Sequence, residues 1–177
     1  MTTMARLQEA GKVRYIGVSN FDAEQMQRAF ESARFQSTQP VYNLFNRHIE
    51  TADAPFCERQ GIGILAYSPL AKGLLTGKYK AAHVFPPTDE RHESLNFQGG
   101  RFARQLAVID RLQEAAGDKG ISLSQLAIAW SLRGPAITCV LFGAKSVAQV
   151  EENISAAEVS LSESDIDHIE AILANRQ

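Results

Sequence analysis

The sequence predicts an α/β fold in which four parallel strands alternate with helices and a C-terminal helix closes the chain. Three observations carry this. Short runs of β-branched and aromatic residues alternate with segments whose apolar residues recur at helical spacing. Residues that open and close helices stand at the boundaries between them. Strands separated by helices pair in parallel through right-handed crossovers, the grammar of an open α/β sheet or of a (β/α) barrel. Length separates the two only in part, since a complete eight-stranded barrel takes about 250 residues. The four strand-helix units of this 177-residue chain, expected to form a single domain, can supply only about half of one.

The chain opens on a helix, Met4 to Ala10, closed by Gly11, the residue type favoured where a helix ends in a left-handed turn. Val13 to Val18 reads as the first strand, ending near Ser19 and Asn20. Asp22 with Gln25 three residues on is a capping-box pattern, and Met26, Ala29, Phe30 and Ala33 then recur at helical spacing. Thr38 to Asn43 is the second strand, backed by a helix from Thr51 to Gln60 that Gly61 stops. Ile62 to Ser68 is a nearly unbroken apolar run of the kind buried on both faces of a parallel sheet. Residues 71–100 lack periodicity and carry Gly73, Gly77, Pro86, Pro87, Gly99 and Gly100. Loops beyond about 15 residues in compact domains are functional lids or disordered insertions, and a lid is expected for this one. Arg101 to Ala116 forms a helix with Phe102, Leu106, Ile109 and Leu112 on one face. Ser122 and Gln125 cap the next, which turns Leu123, Leu126, Ala127 and Trp130 inward. The fourth strand, Ala136 to Phe142, is followed by a helix from Val147 to Ala157. Ser162 and Asp165 cap a terminal helix with Ile166, Ile169 and Leu173 on its inner stripe.

Composition narrows the function. A net charge of −2 offers no broad positive field for nucleic acid or for an anionic bilayer. No run approaches the roughly 20 apolar residues of a membrane span. Cys57 and Cys139, without a signal-like apolar N-terminus, point to a reducing cytoplasm and two buried, inert thiols. His48, His83, His92 and His168 are scattered and surface-placed, with no pair at metal-ligand spacing, so no metal is expected. Walker, Gly-x-Gly-x-x-Gly and Gly-x-Ser-x-Gly motifs are absent.

In parallel α/β architectures ligands bind at the C-terminal ends of the strands. The four exits present Ser19 and Asn20, then Gln39 and Asn43, then Tyr67 and Ser68, then Gly143, Lys145 and Ser146. Ser, Asn and Gln offer donors and acceptors suited to a neutral carboxamide, and Tyr67 offers a stacking face. The same residues also serve as ordinary turn formers and core aromatics. At the fourth exit a helix N-terminus, a glycine and Lys145 together make an anion site, or else a plain cap by Ser146 beside a solvated lysine. Lys72 and Lys78, set among glycines of the lid, reinforce the anion reading.

The segment Gly11-Lys12-Val13-Arg14-Tyr15-Ile16-Gly17-Val18-Ser19-Asn20-Phe21 closely resembles a signature of the aldo-keto reductases. Gln39-Pro40-Val41-Tyr42-Asn43, the run from Tyr67 to Tyr79, and the run from Gly143 to Asn153 resemble the family's remaining C-terminal motifs, in order. The lid and the pattern Gln149, Glu152, Asn153 look most like the bacterial general-stress and potassium-channel β-subunit types. The resemblance implies the C-terminal half of a TIM (β/α)8 barrel that binds NADP(H) and reduces aldehydes or ketones. By it, Ser19, Asn20 and Gln39 hold the nicotinamide carboxamide and Tyr67 stacks on the ring. Ser68, Pro69, Leu70 and Lys78 border the pyrophosphate, and residues 71–100 form the cofactor lid. Gly143, Lys145, Ser146, Gln149, Glu152 and Asn153 hold the adenosine end. Many relatives carry Arg where Gln149 stands, which leaves NAD(H) open. The family's catalytic Asp, Tyr, Lys and His belong to the first four barrel units, so the chain alone is expected to be inactive. It would then self-associate or pair with a missing N-terminal half. The alternative is a non-catalytic NADP(H)-binding or protein-docking module.

Overall fold

A computed structural model describes residues 1–134 and 136–174. The chain divides into two compact units, one of Met1–Pro69 with Ser131–Gly143, the other of Leu70–Trp130 with the segment from Ala144 onward.

The first unit holds the sheet. Helix α1 (Thr2–Glu9) leads to β1 (Gly17–Ser19), α2 (Ala23–Ser32), β2 (Ser37–Gln39), α3 (Asp53–Gln60), β3 (Gly63–Tyr67) and, much later in sequence, β4 (Ile137–Leu141). The four strands are parallel in the order β1-β2-β3-β4. Gly17 is required by close approach, because a Cβ there would lie 2.8 Å from the Ser37 backbone carbonyl oxygen. Asp22 caps α2 as expected: its carboxylate accepts from the Gln25 backbone at 2.8 Å, while the Gln25 side chain accepts from the Asp22 backbone at 3.1 Å. Gly61 ends α3 in a left-handed conformation at φ 66°.

Two strands are shorter than their composition implies. In β1 the ladder begins only at Gly17, because the Ile16 backbone is occupied by Gln36, through its side chain at 3.1 Å and its N–H at 3.0 Å. Tyr15, counted toward the strand by propensity, is 74% exposed. β2 stops at Gln39 because Pro40 has no N–H to donate, although Val41 resumes a bridge to Tyr67. The expectation that β3 is buried on both faces is also corrected. Ile64 and Ala66 are fully buried, but Gly63, Leu65 and Tyr67, which alternate with them, are half-buried. The neighbouring positions on that second face are small or polar, Gly17, Ser19, Ser37 and Gln39, and supply little to pack against.

The second unit is helical. It contains α4 (Gly99–Asp118), α5 (Leu123–Ser131, up to Trp130 in this unit), α6 (Val147–Ser155) and α7 (Glu163–Ala174). The caps of α5 and α7 form as expected, with Ser122 and Gln125 bonding reciprocally and Ser162 doing the same with Asp165. Trp130, Leu126, Ala127 and Leu123 are buried, as are Ile169 and Ile172. The inner face of α4 is rotated from the expected one: Gln105 and Val108 are buried beside Phe102, Ile109 and Leu112, and Leu106 is half-exposed. Among the described residues no helix is long and apolar enough to cross a membrane.

Candidate functional site

The exits of β1, β2 and β3 converge. Ser19 donates its hydroxyl to the Gln39 carbonyl at 2.8 Å, and the Asn20 N–H donates to the same oxygen at 3.3 Å. Tyr67 reaches across from β3 and donates its hydroxyl to Asn20 Oδ1 at 3.2 Å. Ser19, Asn20 and Gln39 are exposed, and Tyr67 is half-buried. The side chains of Ser19, Asn20 and Tyr67 and the Gln39 backbone carbonyl thus meet at the C-terminal ends of three strands, with the exposed Gln39 side chain beginning from the same point.

The backbone at two of these exits is unusual. Asn20, immediately after β1, and Ser68, immediately after β3, are left-handed at φ 56° and 60°. Asn tolerates this region and Ser less so, and such conformations persist only where surrounding structure enforces them. At Ser68 the enforcement comes from Asn43, which is buried and donates Nδ2 to the Ser68 carbonyl at 2.9 Å. Its other side-chain atom accepts from the Phe45 and Asn46 backbones, each at 2.9 Å. Asn43 is therefore a positioning residue that spacing alone did not distinguish from an ordinary strand-end asparagine. Pro69, next in the chain, is buried.

The other group of expected residues lies in the second unit, save Gly143, an exposed residue that ends the first. Ser146 caps α6, accepting from the Gln149 N–H at 3.3 Å, and the Gln149 side chain accepts from the Lys145 N–H at 2.7 Å. Lys145, Ser146 and Gln149 are exposed and gathered on this helix N-terminus, where free N–H groups and the helix dipole favour negative charge. Glu152, half-buried, and Asn153, buried, stand one turn further on. Leu70 and Lys78 flank a tight turn, residues 71–76, in which Ala71, Lys72 and Gly73 have φ of 46°, 57° and 89°. The Lys78 ammonium sits 5.0 Å over the Tyr79 ring.

A cavity of about 290 Å³ opens elsewhere in the first unit, lined by Tyr42, Ile49, Glu50, Pro55, Arg133 and Ile137 among others, and none of the strand-exit residues lines it. Its charged wall is the Glu50 carboxylate, which accepts from Tyr42 at 2.7 Å, from Arg47 at 2.9–3.1 Å and from Arg133 at 3.2 Å. Burial pushes the Glu50 carboxyl up, but the hydrogen bonds from Arg47 and Tyr42 outweigh it and hold the group below its ordinary value. Burial and the facing carboxylate push the Tyr42 phenol above its usual range. The two arginines and the phenol satisfy Glu50, so this cluster is a tie between segments and not a proton-transfer pair.

Cys57 is fully buried with its thiol pushed up to about 11, chiefly by burial. Cys139 is only half-buried, which corrects the expectation of two buried thiols. All four histidines are exposed. Among the described residues no group of three or more His, Cys, Asp or Glu could hold a metal ion.

A family model described as the aldo/keto reductase family matches residues 1–174. The chain is 36% identical over 173 residues to aldo-keto reductase YhdN of Bacillus subtilis, covering 97% of this chain and 52% of that protein. It is 35% identical to a probable voltage-gated potassium channel subunit beta of Oryza sativa, over 94% of this chain and 54% of the relative. The solved glycerol dehydrogenase AKR11B4 from Gluconobacter oxydans superposes with a TM-score of 0.93 at 34% identity, over 99% of this chain and 53% of that one. The chain thus spans about half the length of the relatives it matches. With its ordered motifs, four parallel strands and matched residues taken together, the chain belongs to the aldo-keto reductase family.

Proposed function

We propose that this chain is the dinucleotide-binding half of an aldo-keto reductase, corresponding to the second four units of a (β/α)8 barrel and acting, in the complete enzyme, on an aldehyde or ketone. The meeting of the Ser19, Asn20 and Tyr67 side chains with the Gln39 backbone carbonyl at the C-terminal ends of three strands carries the reading. A nicotinamide carboxamide needs a donor and an acceptor presented together, and these exposed hydroxyl and amide groups supply both. Tyr67 offers its ring. Its hydroxyl is engaged by Asn20, so it is not the acid that protonates a carbonyl. The N-terminus of α6 with Lys145 and Ser146 fits a phosphate at the adenosine end, Gln149, Glu152 and Asn153 follow it, and Gly143 precedes it. Ser68, Pro69, Leu70 and Lys78 border the pyrophosphate.

Members of the family generally use NAD(P)H, and the nicotinamide, when bound, supplies hydride. What this half contributes is grip and orientation. Proton transfer would come from the complementary half, provided by a longer chain or a second subunit, and the free thiols Cys57 and Cys139 suit a reducing, cytoplasmic setting.

Fluorescence titration with NADPH and NADH tests this. NADPH should bind, Lys145→Met should weaken it about tenfold while changing NADH little, and no carbonyl-dependent oxidation should follow. Absence of binding would overturn the dinucleotide reading. Turnover by the isolated chain would overturn the assignment of proton transfer to another half.

A further inference from the structure

Residues 80–98 are rich in proline and charge and have no helical or strand periodicity. They are nevertheless built around one side chain. The Arg91 guanidinium grips Asp89 through two nitrogens, with Nε to Oδ1 at 2.7 Å, while the Arg91 backbone N–H donates to the same carboxylate at 2.9 Å. Its remaining nitrogen, Nη1, donates to the Tyr79 hydroxyl and to the Lys72 carbonyl, the latter at 3.3 Å. The guanidinium lies 4.8 Å over the Phe85 ring and 5.6 Å over Tyr79. Those rings pack with Phe97 at centroid distances of 5.0–5.8 Å. Arg91 and Asp89 are about one-fifth exposed, at 22% and 21%. Arg91 holds the Asp89 carboxyl well below the usual carboxylate range, with a further pull from Lys145, so the pair stays charged at any neutral pH.

Lys72 is the point where this clasp meets the turn that follows Leu70. Its backbone is left-handed, and its carbonyl is held by Arg91. Its ammonium, in contrast, pairs at 2.8 Å with Glu90, whose side chain is 71% exposed. An exposed ion pair is worth little and exchanges readily, whereas a multiply bonded guanidinium stacked on rings does not.

We propose that Arg91 is the fixed positioning residue of the lid and that the Lys72–Glu90 pair is its exchangeable latch: an arriving phosphate takes Lys72 from Glu90 while Arg91 keeps the turn in shape. This rests on the dinucleotide reading for the identity of the phosphate, but the clasp itself does not.

The test uses the 177-residue chain with two readouts, chymotryptic cleavage at the buried Tyr79 and Phe97 without ligand, and affinity for NADPH and for inorganic pyrophosphate. Arg91→Met should raise cleavage at least tenfold and weaken both ligands, and Arg91→Lys should restore neither, since an ammonium cannot reproduce the fork. Glu90→Gln should leave cleavage unchanged and tighten both ligands about threefold, a gain that Lys72→Gln in the same chain should abolish. Unchanged cleavage in Arg91→Met, or unchanged affinity in Glu90→Gln, overturns the proposal. Should Arg91→Met fail to fold by circular dichroism, the Glu90→Gln arm decides. If the unaltered chain binds pyrophosphate but not NADPH, the dinucleotide reading falls and the latch stands. If it binds neither, the latch falls and cleavage still decides the clasp.

Discussion

At the scale of single residues, Glu50 is a half-buried carboxylate held by Tyr42, Arg47 and Arg133. Its folded pKa is depressed, so its contribution to stability is present above the unfolded value of roughly 4.3 and is lost as pH falls through the lowered folded value. Glu50→Gln should therefore destabilise the chain by about 1–2 kcal/mol at neutral pH, allowing for partial exposure. Urea titrations should show the gap between the two proteins closing below about pH 4. A gap that persists at low pH would assign the effect to packing. The same scale shows what a linear sequence hides. Asn43 and Asn46 look alike in the run, yet only Asn43 is buried against the Ser68 carbonyl. Arg91 stands between charged neighbours like any surface arginine, and only folding puts two aromatic rings beneath it.

Elements were legible where local chemistry decides them. The reciprocal caps at Asp22, Ser122 and Ser162 stand in the sequence as pairs three residues apart, and all three form. Asp22→Ala should cost about 1 kcal/mol, measurable as a fall in the denaturation midpoint with an unchanged slope; no change would mean that packing of Met26 and Ala29 alone fixes the start of α2. Elements differ from their composition where a distant partner, or a proline within the run, interrupts the ladder. The ladder of β1 is truncated by Gln36, and β2 is stopped by Pro40, although both runs have strand composition. The lid shows glycines and prolines in sequence, but its aromatic members, Tyr79, Phe85, Phe97 and Phe102, follow no period that would mark them as a cluster.

For the whole molecule, strand number and parallel sense follow from alternation with helices, and the family follows from four ordered motifs. Among the described residues, β1 and β4 of the first unit are the outer strands of the sheet, each paired with a strand on one side. In the second, α6 exposes Val147 and Ile154, 73% and 58% accessible, with Val150 between them on the same stripe. Exposed edges and apolar stripes drive association. Sedimentation velocity should accordingly give a mass above that of one chain at micromolar concentration, and Val147→Glu with Ile154→Glu should return it to the monomer. A stable monomer at high concentration would refute this.

The common direction of the four strands restricts what can join them. A strand added beside β1 or β4 could hydrogen-bond in either sense, but one that keeps all its ligand-bearing loops on the side of Ser19, Gln39 and Tyr67 must run with the existing four. Tight hairpins reverse direction and cannot deliver such a strand. Any strand that joins the sheet in this sense must therefore come with its own crossover helix, or from another chain turned about an axis parallel to the strands.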